Sequence, residues 1–474
     1  MIMFTSIFFV ASVEYVQRLF TKTNFMTYMC YIFQKKDINF VMLAINALRL
    51  YLKSTMKYTG FLCGAFSTDT PMTADGSWRS VVMSDEERAV SSKFYYPEFV
   101  DFCFGANPNS IHRFVMDVKQ TVPVTVGYGD TSRQVDVYVP EIAFFQAPFG
   151  LALFAIRVDM DACPNDITAA VSRLRAVDGI AQSNAAFAKL VLDPLMQLYR
   201  KHAKSVADVA GKDDTACYHR LVEYGNKLKT FQIAVVDSSE WDGEKSDELL
   251  YELGTLAPIG SYNPEDDYSS SKEYFESVMK DGKVSVFNNW KALGLFDSFT
   301  MFGHGISEGT IGNWIENYFG MLYVSELFIK FYLFRMNNDF RINHKSAGKL
   351  LEQFDDFEYG CWFDNVSYNF LPRIVHHSME KGLEVLSEKE LLYQMMAQQK
   401  NNREERTNQR MNNLLFYLTL FTTFSMVWDA SSLFNEMYPY DTYIGSSIVG
   451  FRLVAYALML IVLVLIMVAR FKRK

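Results

Sequence analysis

The sequence predicts an α/β (α+β) cytosolic domain followed by a long stalk helix and two C-terminal transmembrane helices. Three observations carry that expectation. Strand-like apolar runs recur between residue 57 and about residue 305, with helical stretches between them. Residues 398–410, QQKNNREERTNQR, hold no apolar side chain and run into an apolar segment without a Pro or Gly break. Two long apolar segments then follow, with basic residues on one side of the pair only.

At 474 residues the chain exceeds what one hydrophobic core usually organises, so two or more structural units are expected. A composition that is 50% hydrophobic and only 21% charged excludes disordered and fibrous classes. The formal net charge of -8 argues against a nucleic-acid-binding surface, which needs clustered Lys and Arg. The six cysteines (Cys30, Cys63, Cys103, Cys163, Cys217 and Cys361) are scattered without a C-x-x-C pair and read as reduced, mostly buried thiols. His376 and His377 diverge by about 100° on a helix and so read as helix-end or core histidines rather than joint metal ligands.

Residues 1–55 form an N-terminal extension. Its opening run MIMFTSIFFVASV is too short to span a bilayer before Glu14 interrupts it. It is either an interfacial or packing extension, or it precedes a true start at Met56. The α/β domain covers 57–310. Its strand-like runs are KFYYPEFVDFCF, VDVYVPEIAFF, GLALFAIRVDM, FQIAVVDS and KVSVFNNW, with helices expected over 164–177 and 184–210. Residues 254–272, rich in Pro, Gly, Ser and acids, read as a surface loop. Residues 125–130 spell TVGYGD, the letters of a potassium-channel selectivity filter. Their flanks are charged and strand-like, whereas a filter needs a pore helix and a spanning helix around it. A β-hairpin turn using Gly127 and Gly129 is expected instead.

A helical part of the domain follows over 311–378. Within it, residues 317–335 are apolar enough to suggest a membrane span, but Glu326 and Lys330 lie one turn apart in the favourable order. A buried or half-buried helix with an ion pair between them is expected. The acidic residues Asp355, Asp356 and Glu358 offer a divalent cation such as Mg2+ a site between subunits, or simply form a solvated helix face.

The stalk helix covers 379–413. From Ser387 to Phe434 an unbroken helix would extend on the order of 70 Å. Being polar on every face over 398–410, it must bridge through water or line a wet cavity. The first membrane helix is placed at 414–434, an external loop at 435–443, the second membrane helix at 444–469 and a basic tail at 470–474. Arg403, Arg406 and Arg410 precede the pair and Arg470, Lys472, Arg473 and Lys474 follow it, so both termini are expected on the cytoplasmic side of the inner (cytoplasmic) membrane. The arginine stripe at 403, 406 and 410 suits lipid phosphates, or an inner mouth that repels cations. Asp429 and Arg452 would fall at similar depth in the lipid bilayer, as an ion pair or as part of a conduction path.

This layout of α/β domain, stalk, two C-terminal membrane helices with a short loop, and basic tail resembles the CorA family of divalent-cation transporters, with residue-level likeness from about 380 to 474. The resemblance implies a homopentamer whose first membrane helix lines the pore and whose loop carries a Gly-Met-Asn signature. Here Leu433-Phe434-Asn435 stands at that place, and only Asn435 matches. Carrying the pore-lining role over gives Leu415, Thr419, Thr422, Thr423, Met426, Ala430, Leu433 and Asn435. The divergent mouth and large soluble domain resemble the CorA-like effectors of type III CRISPR antiviral defence. That resemblance implies a channel opened by a nucleotide second messenger, an S-adenosylmethionine-AMP conjugate (SAM-AMP). A magnesium transporter and a non-conducting membrane-anchored sensor are the alternatives. No glycine-rich phosphate loop, nucleophile elbow or metal-ligand pair points to an enzyme.

Overall fold

A computed structural model describes residues 55–437 apart from positions 73–75, 106, 108, 128–131, 178, 181–183, 205, 224, 226, 238–242, 244 and 343–346, together with scattered positions between 450 and 461. The chain divides into two compact units after Tyr393. The N-terminal extension lies outside the described residues.

The first unit is built on a nine-stranded sheet. Its strands are β1 (Met56–Ser67), β2 (Arg79–Val81), β3 (His112–Val126), β4 (Arg133–Ala147), β5 (Leu151–Ala162), β6 (Lys229–Val236), β7 (Lys283–Phe287), β8 (Trp290–Gly294) and β9 (Ser298–His304). They lie in the order β2-β3-β4-β5-β1-β6-β9-β8-β7. Every pairing is antiparallel except β6 with β9.

The central strand β1 explains the layering. Successive side chains point to opposite faces. Tyr58, Leu62 and Phe66 enter the core that helices α3 (Pro164–Leu174) and α4 (Ala185–His202) cover with Ile167, Val171, Phe187, Val191 and Leu195. Phe61, on the other face, stacks on Phe319 at 3.7 Å between ring centroids. Phe319 belongs to a π-helical segment, Trp314–Tyr323, which follows the short helix α7 (Glu308–Asn313) and continues into α8 (Val324–Ile342). Apolar on both faces, β1 reads as a near-continuous hydrophobic run, as doubly covered strands do.

Helices α1 (Asp85–Ser91) and α2 (Pro97–Phe104) lie between β2 and β3. The strand expected over KFYYPEFVDFCF is therefore corrected: its last eight residues are α2. Pro97 sits in the first turn, where its missing N–H is no loss, and Phe99, Val100, Phe102 and Cys103 are buried from one side. The helix expected over 184–210 ends at His202, eight residues early. Gly129 of the TVGYGD segment lies outside the described residues.

Helices α5 (Ser246–Thr255) and α6 (Lys272–Gly282) flank the expected loop. The buried Glu252 carboxylate organises it by accepting the backbone N–H groups of Gly260 at 2.9 Å and Tyr262 at 2.7 Å. Helices α9 (Ala347–Cys361), α10 (Phe370–Gly382) and α11 (Val385–Met437) complete the chain as described. The stalk thus starts at Val385 rather than at residue 379, because Gly382 ends α10 and Glu384 takes a left-handed φ of +56°. At its far end the helix continues through Asn435 to Met437.

Among the described residues no helix is long and apolar enough to cross a membrane. The first expected span is the distal part of α11, where hydroxyls, Trp428 and Asp429 dilute the apolar content. Most of the second lies outside the described residues. The described cysteines are free, and Cys63, Cys103, Cys217 and Cys361 are buried.

Candidate functional site at the root of the long helix

Helix α11 starts on a dense set of buried charges, and these form the candidate site. Val385 and Leu392 give the first turns an apolar anchor, both fully buried. Polar clamps lie around them. Glu388 accepts from the Asn337 amide of α8 at 2.8 Å. Lys389 pairs with Glu358 of α9 at 3.0 Å and sits 3.5 Å from the Trp362 ring centroid. The Tyr393 hydroxyl donates to the same Glu358 carboxylate.

The turn before α11 is held from beneath by Lys330 of α8. Its ammonium donates to the Leu383 carbonyl at the C-terminal cap of α10, where the helix dipole favours a cation. It also lies 4.0 Å from the centroid of the Phe296 ring, and Lys229 of β6 lies 4.1 Å from the same centroid. Phe296 and Asp297 form the tip between β8 and β9. The Asp297 carboxylate accepts from Lys229 and, at 2.8 Å, from Arg175 at the end of α3. Lys229, Lys330 and Arg175 are all buried. Burial, reinforced by the charge of Lys229, pulls the Lys330 ammonium down to about 8. Burial also lowers Lys229, against the opposing pull of Asp297. Asp297 is itself burdened by burial, yet its hydrogen bond and charge contacts with Lys229 and Arg175 win and hold it below the usual carboxylate range.

A second charged group lies between the same two helices. His376 Nε2 of α10 stands 2.7 Å from Glu326 Oε1 of α8, and the other Glu326 oxygen is buried without a partner among the described residues. Burial depresses the imidazole, but the Glu326 charge and hydrogen bond and the Glu380 charge together raise it above its ordinary value. Glu380 is raised by burial and by repulsion from Glu326. The ion pair expected between Glu326 and Lys330 is accordingly corrected. The helix is buried as expected, but Glu326 turns to His376 and Lys330 to Leu383, since each finds a better-placed partner on α10 than along its own helix.

Within a single copy, and among the described residues, no group of three His, Cys, Asp or Glu side chains could hold a metal. Asp355 and Asp356 are exposed, and Glu358 is committed to Lys389 and Tyr393.

On α11 the helical repeat puts Leu415, Thr419, Thr422, Thr423, Met426, Ala430 and Leu433 within a sector of roughly 100°. The three threonine hydroxyls bond back to their own helix, Thr419 to the Leu415 carbonyl at 2.8 Å, Thr422 and Thr423 to the Thr419 carbonyl at 2.9 and 2.7 Å. Large apolar side chains are exposed on the remaining faces, Phe421 at 70% and Leu418 at 59%. Arg406, Arg410 and Asp429 are exposed, while Arg452 and the side chains of Arg403 and Asn435 lie outside what is described.

Sequence patterns pointed to Glu326 and Lys330 as a pair and to His376 as a helix-end or core histidine, but not to Arg175, Lys229, Phe296 or Asp297. The one available signal was Phe296-Asp297 between two short apolar strands, an aromatic in a turn with no strand face to fill. Compared with known protein families, curated proteins and solved structures, the chain matches none.

Proposed function

We propose that this protein is a membrane-anchored, CorA-like homopentameric ion channel whose α/β domain controls the gate through the root of α11, with a nucleotide second messenger such as SAM-AMP as its opening ligand. The observation that carries the reading is the character of α11 along its length. Its first turns are clamped by half-buried charges, its middle is polar on every side, and its distal part exposes apolar residues all round, Leu414 at 69%, Phe421 at 70% and Met426 at 75%. Apolar surface of that extent needs a non-aqueous or protein partner. The apolar stretch Ile444–Ala469 and the basic residues flanking both segments favour a bilayer. A helix rooted in a folded domain and continuous into the proposed membrane segment transmits movement of its root along its axis. The messenger gates by binding the open arrangement more tightly than the closed one.

The test is ion flux through liposomes holding the purified full-length chain, comparing magnesium, potassium and chloride with and without SAM-AMP and related adenine nucleotides. Flux dependent on a messenger is the expected result. Messenger-independent magnesium flux would return the protein to the transporter alternative, and the absence of any flux would leave a membrane-anchored sensor.

A further inference from the structure

We propose that Lys229, Lys330 and Arg175 form a binding site for a small phosphate-bearing ligand, covered by the Phe296–Asp297 tip. The argument begins with unbalanced charge. Three cations are buried here, each no more than 8% exposed, and Asp297 is the one carboxylate within ion-pair distance of any of them among the described residues. Asp297 serves Arg175 and Lys229 but forms no ion pair with Lys330. The acidic residues Glu384 and Glu388 act on Lys330 only at longer range, and Glu388 already accepts from Asn337.

Lys330 is therefore underused. Its ammonium has three donors, and its hydrogen-bond acceptor among the described residues is the Leu383 carbonyl. Its remaining neighbour is the face of Phe296, a weaker partner than an anion. Buried cations without full compensation are expensive, and an external anion supplies what is missing.

The cover suits displacement. Phe296 is 50% exposed although two ammonium groups contact its ring. The tip backbone is pinned, by the Leu295 N–H donating to the Ser298 carbonyl at 2.7 Å, the Thr230 N–H to the Asp297 carbonyl at 2.9 Å and Lys229 to the Phe296 carbonyl at 3.1 Å, so the ring leaves by rotation of its side chain while β8 and β9 stay in place. Both lysines lie within about 4 Å of one ring centre, so a phosphate or pyrophosphate group entering in place of the ring meets both. Asp297 holds the arginine and one lysine in position, and the ligand completes the charge.

Occupancy has a mechanical consequence. The phosphate takes Lys330 from the Leu383 carbonyl and so releases the turn at Glu384 from which α11 departs. This consequence for gating rests on the channel reading above; the binding itself does not.

Binding is measured by titration calorimetry on the full-length chain in an uncharged detergent, with inorganic pyrophosphate as the probe. A second arm uses phosphatidylglycerol in phosphatidylcholine vesicles, which separates a lipid headgroup from a free phosphate as the source. Saturable pyrophosphate binding is expected, at least tenfold weaker in Lys330→Met, within threefold of the parent in Lys330→Arg, and unchanged in Lys272→Met on the exposed face of α6. Circular dichroism confirms that each variant is folded. Response to vesicles alone, with the same dependence on Lys330, assigns the phosphate to a lipid. Equal binding by the parent and Lys330→Met, loss in Lys330→Arg as severe as in Lys330→Met, or no binding in either arm would overturn the site. Pyrophosphate binding without liposome flux removes the channel reading and leaves the site standing; flux without binding does the reverse.

Discussion

His376 Nε2 and Glu326 Oε1 lie 2.7 Å apart in the buried seam between α10, the helix that precedes α11, and α8. The pair ties the helix before the turn to the helix that supports it. Replacing His376 by Gln keeps a hydrogen-bonding group but removes the countercharge of a buried carboxylate whose other oxygen has no partner among the described residues. The expected loss is about 3 kcal/mol at pH 6.

The sign of its pH dependence follows from the raised imidazole. A group whose pKa is higher in the folded state contributes fully below its unfolded value of 6.5, and the contribution is lost as pH rises through the folded value. Glu380, also raised, acts in the same direction from 4.5 upward. Thermal unfolding followed by tryptophan fluorescence should show the penalty of His376→Gln shrinking between pH 6 and pH 8. A penalty independent of pH would mean that the imidazole titrates alike in the folded and unfolded chains.

Lys330 has the opposite sign. Its ammonium is pulled from 10.5 down to about 8, so the folded protein gives up a proton that the unfolded chain keeps. Stability attributable to this group rises between about pH 8 and 10.5, by roughly 3 kcal/mol when complete. Lys330→Met should flatten that rise in melting temperature over the same window. An unchanged profile would place the titrating group elsewhere.

Gly382 ends α10 where it crosses β8, and a Cβ there would stand 2.5 Å from the Gly294 carbonyl carbon. A Cβ on Gly294 would in turn run into the Ser378 carbonyl oxygen of α10. The two glycines let helix and strand backbones meet. Gly382→Ala should destabilise the domain by about 2 kcal/mol or more, since the obstacle is backbone that cannot rotate away. Chemical denaturation measures it, with Gly360→Ala, which meets open space, as the control expected to change little.

Gln232 links the sheet centre to α5. Fully buried, its amide accepts from the Tyr58 hydroxyl at 3.2 Å and donates to the Leu253 carbonyl at 3.2 Å and Thr300 Oγ1 at 3.1 Å. Gln232→Leu should cost about 2 to 4 kcal/mol, because it strands several buried groups at once. Combining it with Tyr58→Phe should cost less than the sum of the two, which a double-mutant cycle would detect. Strict additivity would show that the network is not coupled.

Periodicity along the chain was enough to mark most of the sheet, the buried character of residues 317–335 and the long polar helix, because each depends on residues near one another in sequence. Alternation places β4, β5 and β6 without reference to partners, and a thirteen-residue polar stretch excludes core burial by itself. Where a local signal was ambiguous, packing decided. KFYYPEFVDFCF is apolar enough for a strand, yet Pro97 and one-sided burial make its last eight residues α2. Glu326 and Lys330 have the spacing of an ion pair, yet the approach of α10 offers each a closer partner. The cluster of Arg175, Lys229, Phe296, Asp297 and Lys330 draws on residues up to 155 positions apart, from α3, β6, the β8–β9 tip and α8. No spacing rule joins them. Sequence alone determined most strands, the buried helix over 317–335 and the long polar helix, since those preferences are local; only the tertiary structure decided the ambiguous segments and which charges meet, since burial and the directions of elements distant in the chain set them.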